Sequence, residues 1–127
     1  MKQTQSDKAI LHIQEVYASD MTQLKSFFNV LQDQSQEMPV NETFGIPFLQ
    51  IKEEEKLIGF ASLILDENDK ADYVLYPKNL TNDKDDQQWK EKVDNVFREK
   101  QLTFFKDKDA FQKGIMRLLN WLNHSYN

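Results

Sequence analysis

Phe48-Leu49-Gln50-Ile51-Lys52 and Leu57-Ile58-Gly59-Phe60-Ala61-Ser62-Leu63-Ile64-Leu65 flank the charged tetrad Glu53-Glu54-Glu55-Lys56, and the fold turns on how this stretch is read. Two β-prone apolar runs around a short polar break predict a hairpin with a loop of about four or five residues. The second run is apolar at consecutive positions rather than alternate ones. Both of its faces must therefore be covered, which puts it at the centre of a sheet. Downstream, Asp66-Glu67-Asn68-Asp69-Lys70 reads as a turn into a third strand, Asp72-Tyr73-Val74-Leu75-Tyr76. Pro77 closes that strand, because proline has no N–H to give the ladder.

Upstream of the hairpin, Ile10 to Tyr17 alternates as a strand, and Ser19 or Asp20 can cap the helix that follows. Met21, Leu24, Phe27, Phe28 and Leu31 fall at the spacing of one buried helical stripe. Residues 34–47, broken by Pro39, Gly45 and Pro47, make a long connection that calls for a short second helix or a functional loop. Beyond Pro77, Asp85 or Asp86 can cap a helix with the stripe Trp89, Val93, Val96 and Phe97. Leu102-Thr103-Phe104-Phe105 is β-prone, and residues 101–105 are a candidate short strand. A final helix carries Phe111, Ile115, Leu118, Leu119 and Leu122 on one side. The order β-α-β-β-β-α-(β)-α predicts an α+β domain: a largely antiparallel mixed sheet packed with about three helices. Residues 10–127 form this single domain behind a polar, flexible tail at 1–9.

Composition removes several functions. The chain has 127 residues, 39% of them hydrophobic and 29% charged, and its formal charge is −5. Its mean hydropathy of −0.71 comes from abundant polar residues, since nine Phe, four Tyr and two Trp still supply a core. Residues 1–65 hold five Lys against nine acids, and residues 66–127 hold eleven bases against twelve acids. Without a basic arm, such a chain repels phosphate backbones, so nucleic acid is not an expected partner. The absence of cysteine removes disulfides, thiolate metal sites and cysteine nucleophiles. The start of the chain lacks an apolar signal core, and the longest apolar run is about half a membrane span. These features predict a soluble cytoplasmic protein that does not bind membranes.

The hydrophobic pattern of residues 10–76 resembles the N-terminal half of the GNAT acetyltransferase superfamily. The segment Phe48 to Leu63, with its charged turn followed by Leu57-Ile58-Gly59-Phe60, looks like that family's second and third strands, and Leu11 to Leu31 is similar to its first strand and helix. The resemblance implies a GNAT-like fold and a coenzyme A site after the fourth strand. In the family that site is built on a Gln/Arg-x-x-Gly-x-Gly/Ala turn, where glycine lets backbone N–H groups approach the pyrophosphate. Here the matching stretch is Tyr76-Pro77-Lys78-Asn79-Leu80-Thr81-Asn82-Asp83-Lys84-Asp85-Asp86, with no glycine and several acids. The resemblance therefore stops where its cofactor chemistry should begin.

Other constellations are sparse. His12 lies within a strand and His124 near a helix end, and their spacing fits no zinc motif. An EF-hand loop starting at Asp66 would place Ala71 at its glycine and Pro77 at its glutamate, and one starting at Asp83 would place Gln88 and Asp94 there. No metal is expected. Tyr73, Tyr76 and Trp89 surround the place where a GNAT-like sheet would open, and an aromatic-lined cleft there suits an apolar or pantetheine-like ligand. Core packing is the plainer role for the same rings. Arg117 and Trp121, at i and i+4 on the last helix, suit a cation–π pair or an anchor for a partner.

Three functions fit these features. The first is a GNAT-like domain without acetyl transfer and without a cofactor, binding a small molecule or a protein. The second is an atypical N-acyltransferase using acetyl-coenzyme A, with Tyr76 or Glu15 assisting proton transfer. The third is an acidic immunity- or antitoxin-like protein that blocks a basic partner. The apolar last helix can pack within the monomer or join two copies into a homodimer.

Overall fold

The computed structural model describes residues 11–35, 38–104 and 108–124. The tail at 1–9, Ile10 and Phe105 lie outside them. Strand β1 is Leu11–Glu15. A 3-10 turn at Ala18–Asp20 leads into helix α1, Met21–Leu31. A second 3-10 turn, Glu42–Phe44, precedes β2, Ile46–Glu53. Strands β3, Lys56–Leu65, and β4, Ala71–Tyr76, follow, and helices α2, Asp83–Phe104, and α3, Lys108–His124, close the domain.

Among the described residues the four strands form one sheet in the order β1-β2-β3-β4, and every pairing is antiparallel. The α+β class thus holds, but the sheet is not mixed. The candidate strand at 101–105 is helix as far as the described residues reach, because α2 continues through Leu102 and Thr103 to Phe104. No Gly or Pro interrupts the chain from Trp89 to Phe104, so each added residue gains a helical hydrogen bond. A four-residue β-prone run gains nothing comparable without a partner strand.

The hairpin is tighter than predicted. Glu53 pairs with Lys56, leaving only Glu54 and Glu55 in the loop. Both have positive φ, 49° and 73°, the pattern of the two-residue turn whose twist matches that of its strands. Strand β2 also begins earlier than expected, at Ile46. It accommodates Pro47 at a register shift between Pro47 and Leu49, where a missing N–H costs no ladder bond.

Strand β3 lies between β2 and β4, as its composition requires, and Gly59 through Leu63 are buried without interruption. One face carries Phe60, paired across the sheet with Gln50 and Tyr76. Helix α1 packs here through Phe27 and Phe28. The Phe60 centroid lies 6.1 Å from Phe27, 5.6 Å from Phe44 and 5.2 Å from Tyr76. Phe28 closes the cluster at 5.4 Å from Phe44 and 5.0 Å from Tyr76. Leu31, assigned to the α1 stripe from spacing, is exposed because it ends the helix. Asp20 stands at the N-cap, yet its carboxylate accepts from the Tyr17 N–H and the Gln50 amide, both at 2.9 Å, rather than from the helix.

Helix α3 lies beside α1. The Lys25 ammonium, buried, donates to the Leu122 carbonyl at 3.2 Å. Asn123 makes two 2.9 Å bonds to the Val40 backbone, one as donor and one as acceptor. The stripe Phe111, Ile115, Leu119 and Leu122 is buried, as its spacing predicts. Helix α2 covers the opposite sheet face with Trp89, Val93 and Phe97, and the Phe97 ring sits 4.9 Å from Tyr73. Gly45 has φ 67°, and a Cβ there would stand 2.5 Å from the Leu63 carbonyl oxygen, so only glycine lets the Glu42–Phe44 turn lie on β3.

Phe60→Ala should cost about 3–5 kcal/mol, since it removes a ring packed among three others. Urea unfolding measures this, and a loss below about 1 kcal/mol would contradict the central role assigned to that ring.

Candidate functional site

The segment between β4 and α2, Pro77 to Asn82, is the stretch that the resemblance compares with a phosphate-binding turn. Tyr76 and Pro77 are joined by a cis peptide bond. Helix α2 is capped by Asn82 rather than by Asp85 or Asp86. The Asn82 Oδ1 accepts from the Lys84 and Asp85 N–H groups at 2.9 and 3.1 Å, and its carbonyl accepts from the Asp86 N–H at 2.8 Å. Asp86 folds back instead, and its Oδ1 accepts from the Leu80 N–H at 2.7 Å. Lys90 meets the other Asp86 oxygen at 2.9 Å and donates to the Asn79 side chain at 2.6 Å. The Leu80 N–H bond, followed by that from Lys90, holds the Asp86 carboxyl below the usual aspartate range.

These contacts occupy the N–H groups of Leu80, Lys84, Asp85 and Asp86. The first turn also carries Asp83, Asp85 and Asp86, which favour the positive end of the helix dipole and repel a pyrophosphate. The local sequence causes this directly. Asn82 accepts from residues two and three further on, the ordinary Asx cap, and Asp86 is one helical turn before Lys90.

The aromatic residues singled out from sequence do not converge. Tyr73 and Tyr76 are three apart in a regularly paired strand, so they point to opposite faces. Tyr73 faces α2, and its hydroxyl lies 3.4 Å from Asp94; burial raises its pKa first, and the Asp94 charge adds to the rise. Trp89 is buried in the α2 stripe on that side, with its indole N–H lacking a hydrogen-bond partner. Tyr76 lies on the α1 side, where its hydroxyl donates to the Thr43 carbonyl and burial raises its pKa. Arg117 and Trp121 are both exposed on α3, beside the exposed Met116. His12 is exposed on β1, opposite Lys52. Glu15 ends β1 and is exposed.

The Glu42–Phe44 turn, which sequence reading leaves inside a long connection, closes over Tyr76. Asn41 Oδ1 accepts from the Thr43 N–H at 3.0 Å, an Asx turn that the Asn41-Glu42-Thr43 spacing could have signalled. Among the described residues no three His, Cys, Asp or Glu side chains are grouped to hold a metal ion, and no helix is long and apolar enough to cross a membrane. Comparison with known proteins finds no matching family model, no matching curated protein and no matching solved structure.

Asp86→Asn should destabilise the domain by about 1 kcal/mol at neutral pH by weakening the Leu80 and Lys90 bonds. A depressed folded-state pKa stabilises above the unfolded value and loses that contribution as pH falls through the folded one. The gap between wild type and variant in urea midpoint should therefore shrink below the usual aspartate range. A gap that is constant from neutral to strongly acid pH would contradict the assigned contacts.

Proposed function

We propose that this chain is a GNAT-like α+β domain that does not transfer acetyl groups and serves as a binding module, most directly for another protein. The observation that carries the reading is the Asp86 carboxylate folded onto the Leu80 N–H and held by Lys90. An internal anion there, together with Asn82 on the Lys84 and Asp85 N–H groups, supports the reading because it leaves fewer donors to a pyrophosphate. The element order supports the GNAT-like part of the reading, with one helix between β1 and β2, a three-strand meander and a helix after β4.

The thermal midpoint with and without saturating acetyl-coenzyme A tests this. A ligand at about 100 times its Kd stabilises the native state by roughly 2.7 kcal/mol, several degrees for a domain of this size. The expected result is no shift in a cooperatively unfolding sample. A shift of several degrees, followed by turnover of an amine substrate, would overturn the reading in favour of an atypical N-acyltransferase.

A further inference from the structure

A cleft of about 400 Å³ opens where the end of the β3–β4 hairpin, the Glu42–Phe44 turn and the middle of α3 meet. Ile64, Val74 and Tyr76 line it from the sheet, and Ile115 and Met116 from α3. Glu42, Asp66 and Asp69 also line it, and among the described residues no Lys, Arg or His does. A larger concavity of about 610 Å³ runs along α3 from Asp109 to Asn120, but among the described residues that helix alone lines it. The cleft has walls from three elements and a charge of one sign.

That combination selects a chemistry. Apolar walls reward an alkyl stem, and carboxylates beside them reward a cation at its tip. Arginine and lysine side chains have this construction. The net charge of −5 draws a basic partner to the domain as a whole. Behind Val74, the fully buried Ser62 pairs with it and shares its sheet face, and among the described residues its hydroxyl has no hydrogen-bond partner.

We infer that this cleft docks a basic segment of a partner protein. An arginine or lysine stem lies along Val74, Tyr76 and Ile115, and its cation meets Glu42 and Asp69. The inference rests on the binding-module reading and names the partner chemistry.

The test titrates the ¹⁵N-labelled full chain with acetyl-Leu-Arg-Leu-Arg-amide. Saturable amide shifts are expected at 42–43, 64–66, 74–76 and 112–116. Gln112→Trp fills the cleft from an exposed position without changing charge. The pair Glu42→Gln with Asp69→Asn removes two charges and keeps a residue type that tolerates the positive φ at position 69. Each variant should weaken binding by about tenfold or more, with its thermal midpoint checked against wild type. Acetyl-Gly-Arg-Gly-Arg-amide and agmatine should likewise bind about tenfold more weakly than the leucine peptide. Absence of shifts, shifts elsewhere, or binding unaffected in either folded variant would overturn the inference. Agmatine binding as tightly as the peptide would overturn it in favour of a free organic cation. If the peptide fails while acetyl-coenzyme A leaves the midpoint unmoved, the binding-module reading survives alone. A midpoint raised by the coenzyme, followed by turnover of an amine substrate, removes that reading whatever the peptide does.

Discussion

Burial of β3 on both faces is the constraint from which the other features follow. A strand with no polar face cannot lie at the edge of a sheet or under a single layer of helices. It needs β2 and β4 as neighbours, α1 on the Phe60 side and α2 on the Tyr73 side. The two sides are filled differently. Aromatic edges interlock between α1 and the sheet, where ring pairs add about 0.5–1.5 kcal/mol each beyond burial. The α2 side uses one stripe at helical spacing, Trp89, Val93 and Phe97.

Much of this was legible because it is local. The meander shows in consecutive apolar positions and polar turns, and α1 and α3 show in their stripes. What failed depended on longer-range context or finer geometry. The run Leu102-Thr103-Phe104 has β-branched and aromatic character, but an uninterrupted helix reached it first. Pro47 looked like a breaker because a bulge in an interior strand leaves no mark in sequence. The aromatic residues divide for another reason. Tyr73 and Tyr76, set together where a GNAT-like sheet would open, stand at an odd separation in a strand, which assigns them to opposite faces. The contact of Tyr76 with Thr43 spans 33 positions and has no periodic signature.

The start of α2 is tied down by its own side chains. An anion-binding helix terminus depends on N–H groups left for a ligand. Here Asn82 accepts from the Lys84 and Asp85 N–H groups, while Asp86 accepts from the Leu80 N–H before the helix and is paired with Lys90. The acids of the first turn also favour the positive end of the helix dipole, so the helix start is secure.

The Glu54-Glu55 turn has a consequence for how much change the fold can absorb. Two consecutive non-glycine residues hold left-handed backbone there, and Asp33 and Asp69 do so elsewhere. L-residues pay roughly 1–2 kcal/mol for that conformation. The turn type itself favours Asn-Gly. Stability is therefore held in reserve at the exposed turn of the β2–β3 hairpin. Exchanging the glutamates for that pair would release the reserve without touching the core, giving the domain room to tolerate costly substitutions in a binding surface.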